Sequence, residues 1–382
     1  MINKQLIEKY KQFMNMSAGK EFHQPDTFLR NIHNEYINKG KTTIGTPLYL
    51  TWYITDVCNL NCFFCSAKAL CGKESVKYEN TLKIAKKIVD SGCIYVSFMG
   101  GEPTLCDDLL PVIRIFNTNH IFTEIVSNGF GINENFVSEL MKLNVDLIRF
   151  KLSLDSCTKS INDSIRGPGS FESVMKALDC LHNKNIDIRL QMVITESNKS
   201  QIYDMYKLAE SKGCRSFGFS VVMPIGRGVQ LPTFHIDEEI LDQLIKIRCE
   251  EKNTRLQQYN LGIDSYEYMQ QIYGTKDIPG LDGNRLSILK CNGCRYRLCL
   301  SKDGDVFPCD MTRFDEFKLG NILNTSLTKI IKSKEAKRFN QITKYTKEHC
   351  KDCKYKWCNS GCFGMCYEHA KCTGQNKPMC EL

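Results

Sequence analysis

Cys58-Asn59-Leu60-Asn61-Cys62-Phe63-Phe64-Cys65 follows directly on the β-rich run Leu48–Thr55. Three thiols at C-x3-C-x2-C spacing in one short loop can wrap their sulfurs round a single small metal object. Zinc in a structural site wants four closed ligands; the nearest spare donor is Cys71, and histidine lies far off. A [4Fe–4S] cube also takes four ligands, usually Cys. Three from the chain leave one iron open, and an open metal site is where chemistry happens. Zinc, or three unrelated buried thiols, is the competing reading, and the short donor count favours iron.

Outward from this loop the chain alternates strand and helix. Strand-like runs occupy 48–55, 94–99, 122–127, 147–154, 186–194 and 216–222, with periodic helical stretches such as 81–91, 133–143, 171–183 and 199–212 between them. Six such alternations predict a parallel sheet with helices outside. The count is too low for a closed eight-stranded barrel and suits an α/β fold of the partial (β/α)6 TIM-like kind. In such folds function sits on loops after the C-terminal ends of the strands. The candidate motifs fall there. The second strand ends in Gly100-Gly101-Glu102-Pro103, where two glycines allow close backbone approach to a ligand and a carboxylate could take an ammonium group; a plain turn is the alternative. The third ends in Ser127-Asn128-Gly129 and the fourth in Ser153-Leu154-Asp155-Ser156, tips that present small hydroxyl and amide groups or ordinary turn residues.

A second cysteine field runs from Cys291 to Cys380. It opens Cys291-x2-Cys294-x4-Cys299, continues through Asp303-Gly304, which reads as a tight hairpin, and places Cys309 just past the second strand of that hairpin. After a polar helix expected over 326–344 come Cys350-x2-Cys353-x4-Cys358-x3-Cys362 and finally Cys380. Two zinc ribbons are the alternative to iron here.

Composition narrows the class. The chain has 382 residues, 42% hydrophobic and 25% charged, enough for a sizeable core. A net charge of +8 without a basic block argues against nucleic acid and at most favours an acidic partner. The 21 cysteines come with no signal-peptide pattern and no apolar run near the ~18 residues of a membrane span. That combination reads as metal ligation in a reducing compartment, hence a cytoplasmic protein with no membrane partner, and exposed clusters would favour an anaerobic or microaerobic host.

Together these features resemble the radical S-adenosylmethionine (SAM) superfamily, whose loop CxxxCxΦC has an aromatic residue before the last Cys, here Phe64. The C-terminal pattern resembles the SPASM domain, and Cys294-x9-Gly304-x4-Cys309 fits it; the gap of four between Cys353 and Cys358 is one shorter than is common. The resemblance implies that SAM chelates the iron left open by Cys58, Cys62 and Cys65. It implies that the Gly100-Gly101-Glu102 motif holds its amino group and that Ser127 and Ser153 line its ribose and carboxylate side. Arg166 would meet the carboxylate, with a surface salt bridge as the alternative, and Val193 would contact adenine. Pro224-Ile225-Gly226-Arg227-Gly228 recurs in such proteins without a clear role. Two auxiliary [4Fe–4S] clusters are implied, making three: one on Cys291, Cys294, Cys309 and Cys362, with Cys299 able to replace Cys291 or Cys294, and one on Cys350, Cys353, Cys358 and Cys380. Asp310 would be a catalytic base, with a cap on the next turn or a bond to Arg313 as the alternative.

The expected organisation is a helical extension over 1–47, a radical SAM domain over 48–232, a helical bridge over 233–285 and a SPASM domain over 286–382. The expected activity is hydrogen abstraction from a peptide or protein substrate through a 5′-deoxyadenosyl radical, installing a thioether or carbon–carbon crosslink or another side-chain modification in a ribosomally made peptide. A separate leader-peptide-binding protein and a flavodoxin- or ferredoxin-type reductant would serve it. Anaerobic sulfatase maturation is the alternative, since Asp310 follows Cys309, and a non-catalytic electron carrier is a third reading.

Overall fold

Side-chain alternation decides which face of each strand meets the helices. In the computed structural model, which describes residues 45–182, 184–223, 225–231, 237–250, 257–259, 291–345, Gly364 and Tyr367, the strand β6 (Ile148–Ser153) shows the rule. Ile148, Phe150 and Leu152 enter the main hydrophobic core, while Arg149, Lys151 and Ser153 take the other face.

The six expected strands are all present. They are β1 (Tyr49–Thr55), β4 (Tyr95–Gly100), β5 (Phe122–Ser127), β6, β7 (Asp187–Ile194) and β8 (Ser216–Val221), each hydrogen-bonded in parallel to the next. Two short strands, β2 (Val57–Cys58) and β3 (Leu70–Cys71), form a separate ribbon. Helices α1 (Thr81–Asp90), α2 (Leu109–Thr118), α3 (Glu134–Leu140), α4 (Lys159–Arg166), α5 (Ser170–Leu181) and α6 (Ile202–Ser211) lie in the crossovers. Their apolar residues, Ile84, Ile88, Val112, Phe116, Val174, Leu178 and Met205 among them, close over the outer face of the sheet.

The sheet is longer than six strands at both ends. Beyond β8 it gains β9 (Gln257–Tyr259), parallel to β8, and before β1 it gains β10 (Arg297–Leu300), parallel to β1. Within the expected helical bridge over 233–285, α7 (Glu238–Glu250) is helical, whereas Gln257–Tyr259 is a strand that satisfies the free backbone edge of β8. Strand β10 turns through Asp303-Gly304 into antiparallel β11 (Asp305–Phe307), with Gly304 in the left-handed region at φ +83°, and β12 (Gly320–Asn321) pairs with β11. The order β12-β11-β10-β1-β4-β5-β6-β7-β8-β9 has two ends, so the sheet does not close and the partial-barrel expectation stands. One further correction concerns the helix expected over 326–344. It is two, α8 (Leu327–Ile330) and α9 (Lys334–Tyr345), because the Ser333 hydroxyl accepts from Ala336 N–H and starts the second. The helices expected in 1–44, the rest of the 233–285 bridge, and Cys350, Cys353, Cys358, Cys362 and Cys380 lie outside the described residues.

The inner face of the sheet is polar. Ser97 donates to Glu124 (3.0 Å), Glu124 pairs with Arg149 (3.5 Å), and Arg149 pairs with Asp187 (2.8 Å). Their register puts these residues side by side on adjacent strands. A fully buried arginine survives there because carboxylates flank it on both neighbouring strands.

Candidate functional site

The Cys loop leaves β1 and is pinned at its base by the β2–β3 ribbon, where Leu70 N–H donates to Asp56 O and Gly72 N–H to Cys58 O. Cys58, Cys62 and Cys65 all line one cavity at the C-terminal ends of the strands. Cys71 stands in register beside Cys58, but it is exposed and does not line that cavity, so the loop offers three sulfurs there. Three soft thiols without a carboxylate or histidine among them suit iron–sulfur ligation. Among the described residues no three Cys, His, Asp or Glu side chains are grouped to hold a single metal ion. Burial pushes the Cys58 thiol up to about 12. Leu60 N–H (3.4 Å) and the Asn128 amide (3.7 Å) already point at its sulfur.

Every residue expected at the SAM site lines the same cavity: Phe64, Gly100, Gly101, Glu102, Ser127, Ser153, Arg166 and Val193. Three of these positions also have local roles that the sequence did not indicate. The glycines are required by another stretch of chain. A Cβ on Gly100 would meet Thr55 O at 2.1 Å and one on Gly101 would meet Val57 O at 1.9 Å, because Gly101 and Glu102 N–H groups donate to those carbonyls. The Glu102 carboxylate is buried and already bonded within the protein. Its Oε1 accepts from Thr104 N–H (3.2 Å), the Thr104 hydroxyl (2.8 Å) and the Ser127 hydroxyl (2.7 Å), and its Oε2 accepts from Asn128 N–H (2.8 Å). Burial pushes this carboxyl up while those bonds pull it down. Arg166 makes a buried bidentate pair with Asp155, at 2.6 and 2.9 Å, rather than a surface salt bridge. Its guanidinium lies 5.6 Å over the Phe64 ring, and its carbonyl accepts from Cys62 Sγ.

Glu102→Gln thus tests more than a ligand contact. An amide NH2 must replace one oxygen that faces donors, leaving a buried clash of donors that costs about 1–3 kcal/mol. Thermal melts should show lower stability without SAM, together with weaker SAM binding by titration calorimetry. An unchanged melt would mean that the carboxylate is not the bridge between the β4 and β5 loops.

Sequence reading passed over Asp155, which also accepts from Val193 N–H (2.8 Å), and Asn128, which joins Glu102, Cys58 and Asn59. It also passed over Ser220, whose hydroxyl lines the cavity beside Val193. The first two sit in strand-tip motifs, and Ser220 follows from inner-face alternation along β8.

The hairpin cysteines sort by packing. Gly293 approaches Pro308 O, with 3.2 Å to a Cβ placed there, which brings the 291–294 turn against Cys309. Burial raises the Cys294 thiol most, and the neighbouring Cys309 and Cys291 raise it further. Cys299 is also near Cys309, but it packs with Tyr53 and Phe307 on the inner side of the sheet. Asp310 does not line the Cys-loop cavity. Its carboxylate pairs with Arg297 (2.7 Å), which also donates to the Thr51 hydroxyl, while Arg313 stacks 3.5 Å over Tyr53.

Comparison with known proteins agrees with this geometry. The radical SAM superfamily model matches residues 52–209, and that of an iron–sulfur cluster-binding domain, SPASM, matches 291–354. Mycofactocin maturase MftC of Mycolicibacterium smegmatis is 27% identical over 74% of this chain and 69% of its own. AdoMet-dependent heme synthase of Oleidesulfovibrio alaskensis is 25% identical over 91% of each chain. The antilisterial bacteriocin subtilosin biosynthesis protein AlbA of Bacillus subtilis is 26% identical over 94% of this chain and 75% of its own. Streptococcus suis SuiB bound to S-adenosylmethionine superposes with TM-score 0.62 at 18% identity, covering 85% of this chain and 76% of SuiB; its complex with precursor peptide SuiA gives 0.61, covering 82% and 71%. No helix among the described residues is long and apolar enough to cross a membrane.

Proposed function

We propose that this chain, with its radical SAM superfamily domain over 52–209 and SPASM iron–sulfur domain over 291–354, is a maturase acting on a ribosomally made peptide, in which it installs a thioether or carbon–carbon crosslink or a related side-chain modification. The observation that carries the chemistry is the convergence of Cys58, Cys62 and Cys65 with Gly100, Glu102, Ser153 and Val193 on one cavity. The peptide class is supported by the relatives, a bacteriocin in the name of AlbA and a precursor peptide bound to SuiB; the heme synthase marks the competing direction.

When bound, the cluster and SAM supply one-electron cleavage of a sulfonium bond and a 5′-deoxyadenosyl radical that takes a hydrogen atom. The chain supplies the rest. Cys58, Cys62 and Cys65 would hold the cluster in the cavity that they line. Glu102 fixes the Ser127-Asn128 tip, and its Oε2, with one protein donor, keeps a lone pair for the ammonium group. Ser153 and Ser220 line the cavity without a hydroxyl partner among the described residues, so both are available to the nucleoside. Asp155 holds Arg166 over Phe64 and steadies the far wall.

The auxiliary count and ligands belong to the same reading. Cys291, Cys294 and Cys309 form the first set, with Cys362 as fourth; the close approach of Gly364 to Met311 O, 2.3 Å from a Cβ placed on that glycine, supports a return of the chain to the hairpin. Cys350, Cys353, Cys358 and Cys380 form the second, making three clusters and about twelve irons. Asp310 pairs with Arg297 through Oδ1 and does not line the Cys-loop cavity, which weighs against sulfatase maturation by an Asp310 base. A reductant of the flavodoxin or ferredoxin type and a separate leader-binding protein complete the proposal.

The test is to incubate the reconstituted enzyme with SAM, dithionite and the short peptides encoded beside its gene. Loss of two hydrogens from one peptide by mass spectrometry supports crosslinking, whereas turnover of a porphyrin precursor with no peptide modified would overturn the peptide class.

A further inference from the structure

Arg227 lies in the loop after β8, where the Pro-Ile-Gly-Arg-Gly segment had no assigned role. Its backbone N–H donates to Cys65 O (3.0 Å), its Nε to Cys62 O (2.9 Å) and its Nη1 to Ala69 O (3.2 Å). The flanking glycines are what let it come so close. Gly226 has φ +62°, and a Cβ there would strike Cys65 O at 2.4 Å and Ser66 O at 2.6 Å; one on Gly228 would strike Met223 O at 2.4 Å. Arg227 thus ties three carbonyls of the Cys loop with one side chain and one amide.

Its charge is the second observation. Arg166, the other guanidinium beside the loop, is neutralised by Asp155. Among the described residues no carboxylate forms an ion pair with half-buried Arg227, and its Nη2 is buried without a hydrogen-bond acceptor. A cation withdrawn from water without a counter-charge is costly. Three thiolates wrapped on an iron–sulfur cube carry net negative charge, and one more when the cube is reduced. We propose that Arg227 is the counter-charge of the SAM-binding cluster and a positioning residue for its loop: the fork fixes the carbonyls around Cys62 and Cys65, and the positive charge favours the reduced state. This rests on the reading of Cys58, Cys62 and Cys65 as cluster ligands.

The experiment compares Arg227→Lys, which keeps the charge and loses the planar fork, with Arg227→Gln, which loses the charge. Full-length holoenzyme is titrated by electron paramagnetic resonance, following only the signal that changes when SAM is added. Arg227→Gln should lower the ratio of reduced to oxidised cluster about tenfold at fixed potential, a shift of about 59 mV for a one-electron couple. Arg227→Lys should hold the wild-type potential yet lose iron to a chelator faster. A potential unchanged in Arg227→Gln, or shifted as far in Arg227→Lys, overturns the proposal. Should Arg227→Gln melt like wild type when iron-free but take up no cluster at this loop, the counter-charge reading is supported by that loss. A wild-type enzyme with no SAM-responsive signal would instead overturn the ligand assignment beneath it.

Discussion

Replacing Cys58, Cys62 and Cys65 together by alanine should abolish SAM cleavage and remove about four of about twelve irons. The three sulfurs share one cavity, and among the described residues no fourth cysteine lines it to hold the cube in their place. The hairpin cysteines Cys291, Cys294 and Cys309 lie by the N-terminal end of β10, next to the start of β1, whereas the Cys loop follows the end of β1, and their clusters should survive. Iron analysis and the absorbance of the remaining clusters check this, alongside 5′-deoxyadenosine measured by chromatography. A triple variant that still cleaved SAM would show that the open iron sits elsewhere. One that lost all iron would show that the two cysteine fields do not bind independently.

Asp155→Asn should lower stability by about 3–5 kcal/mol, the usual cost of removing one partner from a buried ion pair. Asp155 is fully buried and Arg166 nearly so, and the carboxylate meets the guanidinium with both oxygens. The asparagine keeps the shape and can still accept from Val193 N–H, but it leaves Arg166 charged over Phe64. Urea denaturation of iron-free protein reads the loss directly. SAM affinity should fall as well, since Arg166 and Val193 line the same cavity. A denaturation midpoint equal to wild type would mean that the pair is solvated and that Arg166 is held by something else.

Much of this is legible in the sequence, and what escapes does so for physical reasons. Local alternation locates all six central strands, and for Phe122–Ser127 both ends agree. Cysteine spacing and the Gly100-Gly101-Glu102-Pro103 turn locate the site, because ligand number and loop length constrain each other. Pairing between distant segments has no local signature. Nothing in Arg297–Leu300 announces that it will lie beside β1, and Gln257-Gln258-Tyr259 carries no hydrophobic pattern to mark an edge strand. Single polar residues are hidden in the same way. Asp155, Asn128, Ser220 and Arg227 are common residue types in loops or strand ends, and only convergence in space gives them a partner. Gly100 and Gly101 read as room for a ligand, and nothing in the sequence shows that they also permit close approach to the carbonyls of Thr55 and Val57.

The most direct measurement is isotopic. Reconstituted enzyme is given SAM, dithionite and a candidate precursor peptide deuterated at the residues expected to react, and the 5′-deoxyadenosine formed is analysed by mass spectrometry. A hydrogen abstracted from the peptide predicts deuterium in the 5′-deoxyadenosine together with a modified peptide. Absence of 5′-deoxyadenosine from cluster-loaded enzyme would contradict the central claim.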